Sequence, residues 1–168
     1  ALLPGILQRA KQDIQFERPQ KVIPRNGIIK VGGTDENNAG RGTSLNPGST
    51  AGGGGPPVWS IRHNEPYSFV DIGRIFAKER ASLITADKVP AGGLFPRLES
   101  TDLLIGAAGA FEVLEPGGKI DMQIMGIRLN KTIETNFINA FRSVGFVDVQ
   151  VLGNSAGGSI VATKPKRQ

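Results

Sequence analysis

"FEVLEPGGKIDMQIM", residues 111–125, is the stretch whose reading decides the fold. Its first residues close an apolar run of helical character, and Pro116-Gly117-Gly118 supply a turn. Ile120, Met122 and Ile124 then alternate with Asp121 and Gln123, the pattern of a strand with one buried face. A helix passing through a tight turn into a strand is the unit from which α/β layers are built.

Downstream, "NKTIETNFINAFRSVG" predicts a helix with Ile133, Phe137, Ile138, Phe141 and Val144 on one stripe, and Gly145 stands where a left-handed cap is wanted. "VDVQVL" and "SIVATK" read as two strands. The short Gly-rich "GNSAGG" between them makes the pair antiparallel. Upstream, "TDLLIGAAGAFEVL" is either strand then helix or helix throughout, with Leu103, Ala107, Ala110, Phe111 and Leu114 on one face. Before it, "YSFVDIG" reads as a buried strand, "RIFAKERASL" as a short helix and "LITADKV" as a second strand ending near an acid.

The amino-terminal third has a different texture. Residues 5–16 carry helical spacing closed by Pro19, and "KVIPRNGIIKV" predicts a hairpin about Asn26-Gly27, because both residues tolerate positive φ. From Gly32 to Pro57 almost no large apolar side chain occurs, so the segment reads as a flexible linker, with an ordered glycine-rich loop as the alternative. The expected organisation is a helix-plus-hairpin appendage over 1–31, a linker over 32–57 and an α/β domain over 58–168.

With 168 residues the chain supports one core. Its net charge of +5 favours a polyanionic partner such as RNA. Cysteine is absent, which excludes disulfides, thiolate metal sites and a cysteine nucleophile, and no metal site is expected. No apolar run is long enough to span a bilayer. The start without Met suggests a piece cut from a longer polypeptide.

With "FEVLEPGGKIDMQIM", a helix ending "AFRSVGF", and the closing "VDVQVL" and "SIVATKP", residues 100–165 resemble the carboxyl-terminal half of class I S-adenosylmethionine-dependent methyltransferases. The resemblance implies a reduced Rossmann-like, methyltransferase-like mixed sheet with flanking helices. In that family the first strand ends in an acid and a glycine-rich turn against the cofactor. "VDIGRIFA" offers Asp71 and Gly73 for this, but Ile75 replaces the next glycine and should obstruct close approach. Asp87 lies near where the family places the carboxylate that binds the ribose hydroxyls. The main expectation is therefore no cofactor, with S-adenosylmethionine as the alternative.

His63 is the single histidine, and beside it stand Arg62, Glu65 and Tyr67. Together they hold the inventory for RNA cleavage, with an acid or base near neutral pH and a cation for phosphoryl charge, though a lone surface histidine is the plainer reading. Asp71, Asp87 and Asp102 could meet in one cleft at strand ends, or serve as helix caps. Arg74, Lys78 and Arg80 could touch phosphate, or form the solvated face of a helix. The tail with Lys164, Lys166 and Arg167 reads as a disordered, solvated end.

"TDENNAG", residues 34–40, is similar to the Glu-Asn-Asn element of contact-dependent inhibition toxins. With the basic charge it leads to the expectation of a toxin-type effector domain acting on RNA, by tRNA cleavage. Such a domain would be exported from a bacterial cell within a larger protein and act in a target-cell cytoplasm. It would need an acidic inhibitor (immunity) protein as partner. The alternatives are a methyltransferase with an atypical cofactor loop, acting in the cytoplasm, and a non-catalytic binding domain.

Overall fold

Residues 21–31, 42–45, 69–90, 100–154 and 157–167 are described by the computed structural model. The His63 segment and the helix expected over 5–16 lie outside them. Among the described residues six strands form one sheet: β1 (Ile28–Val31), β2 (Thr43–Leu45), β3 (Ala81–Pro90), β4 (Leu114–Met125), β5 (Val147–Asn154) and β6 (Gly157–Thr163). Their spatial order is β2-β1-β3-β4-β6-β5. The first four run parallel, β6 is antiparallel to β4, and β5 is antiparallel to β6. Among the described residues three α-helices accompany them, the four-residue α1 (Ile72–Ile75), α2 (Ser100–Val113) and α3 (Lys131–Val144). The result is the expected mixed α/β sheet with flanking helices, and the helix, turn, strand, helix and antiparallel pair follow in the order the resemblance implies.

The Pro-Gly-Gly turn is a large irregularity inside a continuous strand pairing. Between Ala81↔Leu114 and Leu83↔Lys119, β3 advances two residues while β4 advances five. Gly117 takes φ +84, and a side chain on Gly118 would meet the Glu115 carbonyl at 2.9 Å. Glycines thus let the chain leave α2 and re-enter the sheet in a few residues.

The open choice for residues 101–114 resolves as helix. Leu103, Leu104, Ala107, Ala108, Ala110 and Val113 are all buried, so α2 is covered on several sides. Small residues make that covering possible. A Cβ on Gly106 would stand 2.4 Å from the Phe69 ring, and one on Gly109 would stand 2.7 Å from the backbone nitrogen of Gly73. The segment 69–76 lies directly on this glycine face. It is therefore not the expected strand: Phe69–Asp71 is a 3-10 turn leading into α1, with Phe69, Ile72 and Ile75 buried at intervals of three. The helix expected over 74–83 is likewise confined to α1, and Ala81 already begins β3.

Sequence and structure agree closely at α3. The Asn130 side chain accepts hydrogen bonds from the amides of Thr132 and Ile133, at 2.9 and 3.4 Å. Gly145 at φ +117 ends the helix, and its amide and that of Phe146 donate to the carbonyls of Arg142 and Phe141. Phe137, Ala140 and Phe141 are buried, and Phe146 packs against Phe141 and Phe111 with ring centroids 5.4 and 5.2 Å apart. Such pairs add about 0.5–1.5 kcal/mol beyond area burial.

The hairpin expected at Asn26-Gly27 does not form. Both residues do take positive φ, +57 and +71, but the turn sends the chain into β1, which pairs in parallel with β3 and β2. Val22, before the turn, makes only a parallel bridge to Phe76. A buried site between two parallel strands outweighs the local turn preference, since Ile29 and Val31 are fully buried there. Thr43–Leu45, from the stretch read as linker, forms the edge strand β2, with Leu45 fully buried. The two outermost parallel strands thus come from sequence that resembles appendage and linker.

Candidate functional site

The chain enters the sheet at β1, passes outward to β2 and returns on the other side of β1 as β3. The reversal in strand order thus falls between the carboxyl ends of β1 and β3. Open α/β sheets bind ligands at such points.

Register determines what stands beside the crevice. Lys30 lies opposite Thr85, Thr85 opposite Asp121, and Gln123 opposite Ser159. Side chains alternate between sheet faces. Ile84, Ala86, Ile120, Met122 and Ile124 are buried in the core, so Thr85, Asp87, Asp121 and Gln123 project from the other face. With Lys30, Ala86 and Ser159 they line an open groove of about 460 Å³. Among the described residues no helix covers this face.

Lys30 is 5% exposed, whereas Asp87 and Asp121 are solvent-accessible. Among the described residues neither carboxylate makes a hydrogen bond or ion pair. Thr85, Gln123 and Ser159 add groups that both donate and accept. The groove can therefore hold a hydrophilic ligand through several hydrogen bonds, with a buried cation at one end and two carboxylates along its length.

Of the described residues singled out from sequence, Asp87 alone falls in this groove. It sits on β3, the third of the described strands. Asp71 and Gly73 do not end a strand; Asp71 precedes α1, and Gly73 is buried beneath Gly109 with its carbonyl accepting from the Lys21 ammonium at 2.9 Å. Gly73 is small because a helix crosses it, and Ile75 is a core residue. The cofactor turn expected at 71–75 is therefore corrected: that segment is a packing element. Asp102 stands in the first turn of α2. Arg74 lies in the last turn of α1, Lys78 pairs with Glu112 at 3.7 Å, and Arg80 is exposed. Lys78 and Arg80 precede the amino end of β3, at the opposite end of the sheet from the groove, so these cations and Asp87 do not converge. Arg62, His63, Glu65 and Tyr67 lie outside the described residues.

Sequence reading missed Lys30, Thr85, Asp121, Gln123 and Ser159. A signal existed in the strict alternation of "KIDMQIM", which puts Asp121 and Gln123 together on whichever face is not core. Lys30 was hidden by the turn signal before it.

The carboxyl-terminal tail is ordered, contrary to expectation. Lys164 is buried, and its ammonium donates to the carbonyls of Phe111 and Leu114 at 2.7 and 2.8 Å while lying 4.6 Å above the Phe111 ring. It thereby satisfies carbonyls at the carboxyl end of α2. Burial pushes its pKa below the ordinary lysine value, against the opposing pull of Glu79 and Glu112. Arg167 pairs with Glu79, and that hydrogen bond holds the Glu79 carboxyl below its usual range.

No family model matches the sequence, and no curated protein matches it. Solved structures of similar outline include a SAM-dependent methyltransferase from Methanosarcina mazei (13% identity, 55% of this chain and 63% of that one, TM-score 0.39). A methyltransferase from Pyrococcus furiosus is also similar (16% identity, 50% and 41%, TM-score 0.37). So is a possible exported protein from Bordetella parapertussis (11% identity, 53% and 40%, TM-score 0.41). The chain spans less than two thirds of each. Among the described residues no helix is long and apolar enough to cross a membrane.

Proposed function

We propose that the chain is an S-adenosylmethionine-binding domain of methyltransferase type, with its cofactor crevice at the carboxyl ends of β1 and β3. The observation that supports this best is the position of the polar groove, which adjoins the reversal in strand order between those strands. The residues fit such a ligand. Asp87, exposed and without a partner among the described residues, can accept hydrogen bonds from a pair of ribose hydroxyls. Lys30 at the crevice end of β1 can attract a carboxylate. In the sequence Gly32-Gly33 follow β1 directly, the residue type that backbone approach to a ligand requires.

Bound there, the cofactor would supply an activated methyl group. The chain's own part would be to hold the ribose through Asp87, orient the charged end through Lys30 and present the acceptor from the β4 side. Isothermal titration of the full chain with S-adenosylmethionine and S-adenosylhomocysteine tests this. Micromolar binding, weakened at least tenfold by Asp87→Asn, is expected; no binding of either compound overturns the reading.

The RNA-directed toxin reading is supported by the net charge of +5 and by exposed Arg80 near Lys78. On that reading His63, Glu65 and Tyr67 cleave RNA, and an acidic immunity protein neutralises the domain after its export into a target cell. Incubation with total tRNA is its test: cleavage lost in His63→Ala would favour it, and intact tRNA would remove it.

A further inference from the structure

We infer that the β4–β6 half of the groove takes the methyl acceptor, and that the acceptor is an amine recognised as its ammonium, which gives up one proton to solvent through the open groove before its freed lone pair takes the methyl group; as an acceptor assignment this rests on the methyltransferase reading, while the preference for an amine rests on the groove itself. The described lining carries two aspartates against one lysine, in a chain whose net charge is +5. The groove is thus locally negative on a positive protein. Lys30 is 5% exposed and sits on β1, two strands from Asp121. Two inter-strand spacings place the backbones about 10 Å apart.

Around Asp121 the chemistry suits a donor-rich cation. An ammonium offers three N–H donors and no acceptor. Asp121 supplies a carboxylate with no partner among the described residues, and Gln123 on the same strand and Thr85 and Ser159 on the flanking strands supply oxygens. A phosphate backbone would meet two carboxylates. Nucleic acid is therefore disfavoured in this groove, whatever the overall charge attracts elsewhere on the surface.

The test is a titration of the full chain with putrescine and with its diol counterpart 1,4-butanediol, each with and without saturating S-adenosylhomocysteine. Putrescine should bind, the diol should bind at least tenfold more weakly, and Asp121→Asn should weaken putrescine at least tenfold while leaving S-adenosylhomocysteine affinity within twofold. Equal binding of amine and diol, unchanged putrescine affinity in Asp121→Asn, or no putrescine binding under either condition overturns the inference. Absence of S-adenosylhomocysteine binding with putrescine binding retained would instead remove the cofactor reading and leave the amine preference standing.

Discussion

A Cβ placed on Gly109 of α2 would lie 2.7 Å from the backbone nitrogen of Gly73 in α1, so these two glycines set the distance between the helices. Backbone cannot rotate aside as a side-chain end can. Gly109→Ala gains about 1 kcal/mol of helix propensity, but overpacking at a fixed backbone costs roughly 1–3 kcal/mol. The clash should win, and thermal unfolding should show a lower Tm. Gly106→Ala meets the Phe69 ring instead, at 2.4 Å. There the loss should shrink when Phe69→Leu is added, so that the double variant is more stable than the sum of the singles predicts. Additive losses would show that Phe69 does not set the spacing.

The two ends of α3 make separable contributions. Asn130→Ala removes the acceptor for the Thr132 and Ile133 amides and should cost about 1 kcal/mol, with Asn130→Asp close to neutral. Gly145→Ala forces a side chain into φ +117, with its Cβ 3.1 Å from the Phe111 ring, and should cost about 1–2 kcal/mol. Denaturant midpoints of the three variants check the ordering.

Lys164 gives the fold a pH dependence of definite sign. Burial depresses its folded pKa below the ordinary 10.5, so between the folded and unfolded values the unfolded chain binds more protons. Its contribution to stability is complete above the unfolded value and is lost as pH falls through the folded one. A neutral amine still has donors for both carbonyls of Phe111 and Leu114. Lys164→Met leaves those carbonyls without their donor, and hydrogen bonds of this kind are worth about 1–3 kcal/mol. The stability gap between the native chain and Lys164→Met should therefore widen as pH rises into the alkaline range; a constant or narrowing gap would contradict the assigned burial.

What could be read in the sequence divides along local and non-local lines. α3, its Asn-to-Gly boundaries and the alternating β4 declare themselves within a dozen or so residues, because capping and face periodicity are local signals. β1 does not. Its Asn26-Gly27 turn is the same whether the chain folds back or runs on, and the decision is made by β3, distant in sequence, pairing Ile28 with Leu83. The segment 69–76 misled for a related reason. "FVDI" has the composition of a buried strand, and the glycines of α2 that receive it as a helical turn lie some thirty residues away. The groove followed the strands: Asp87 was visible as an acid at a strand end, whereas Lys30 and Asp121 acquire meaning only once β1 and β4 are set on either side of β3.

The placement of the ligand crevice is the claim on which the rest depends, and hydrogen-exchange protection of the full chain by S-adenosylhomocysteine tests it most directly. Slowed exchange in the carboxyl-terminal halves of β1 and β3, around Lys30-Val31 and Ala86-Asp87, with Asp71–Gly73 unchanged, is the predicted result. Protection centred on Asp71–Gly73, or none at the ends of β1 and β3, would contradict it.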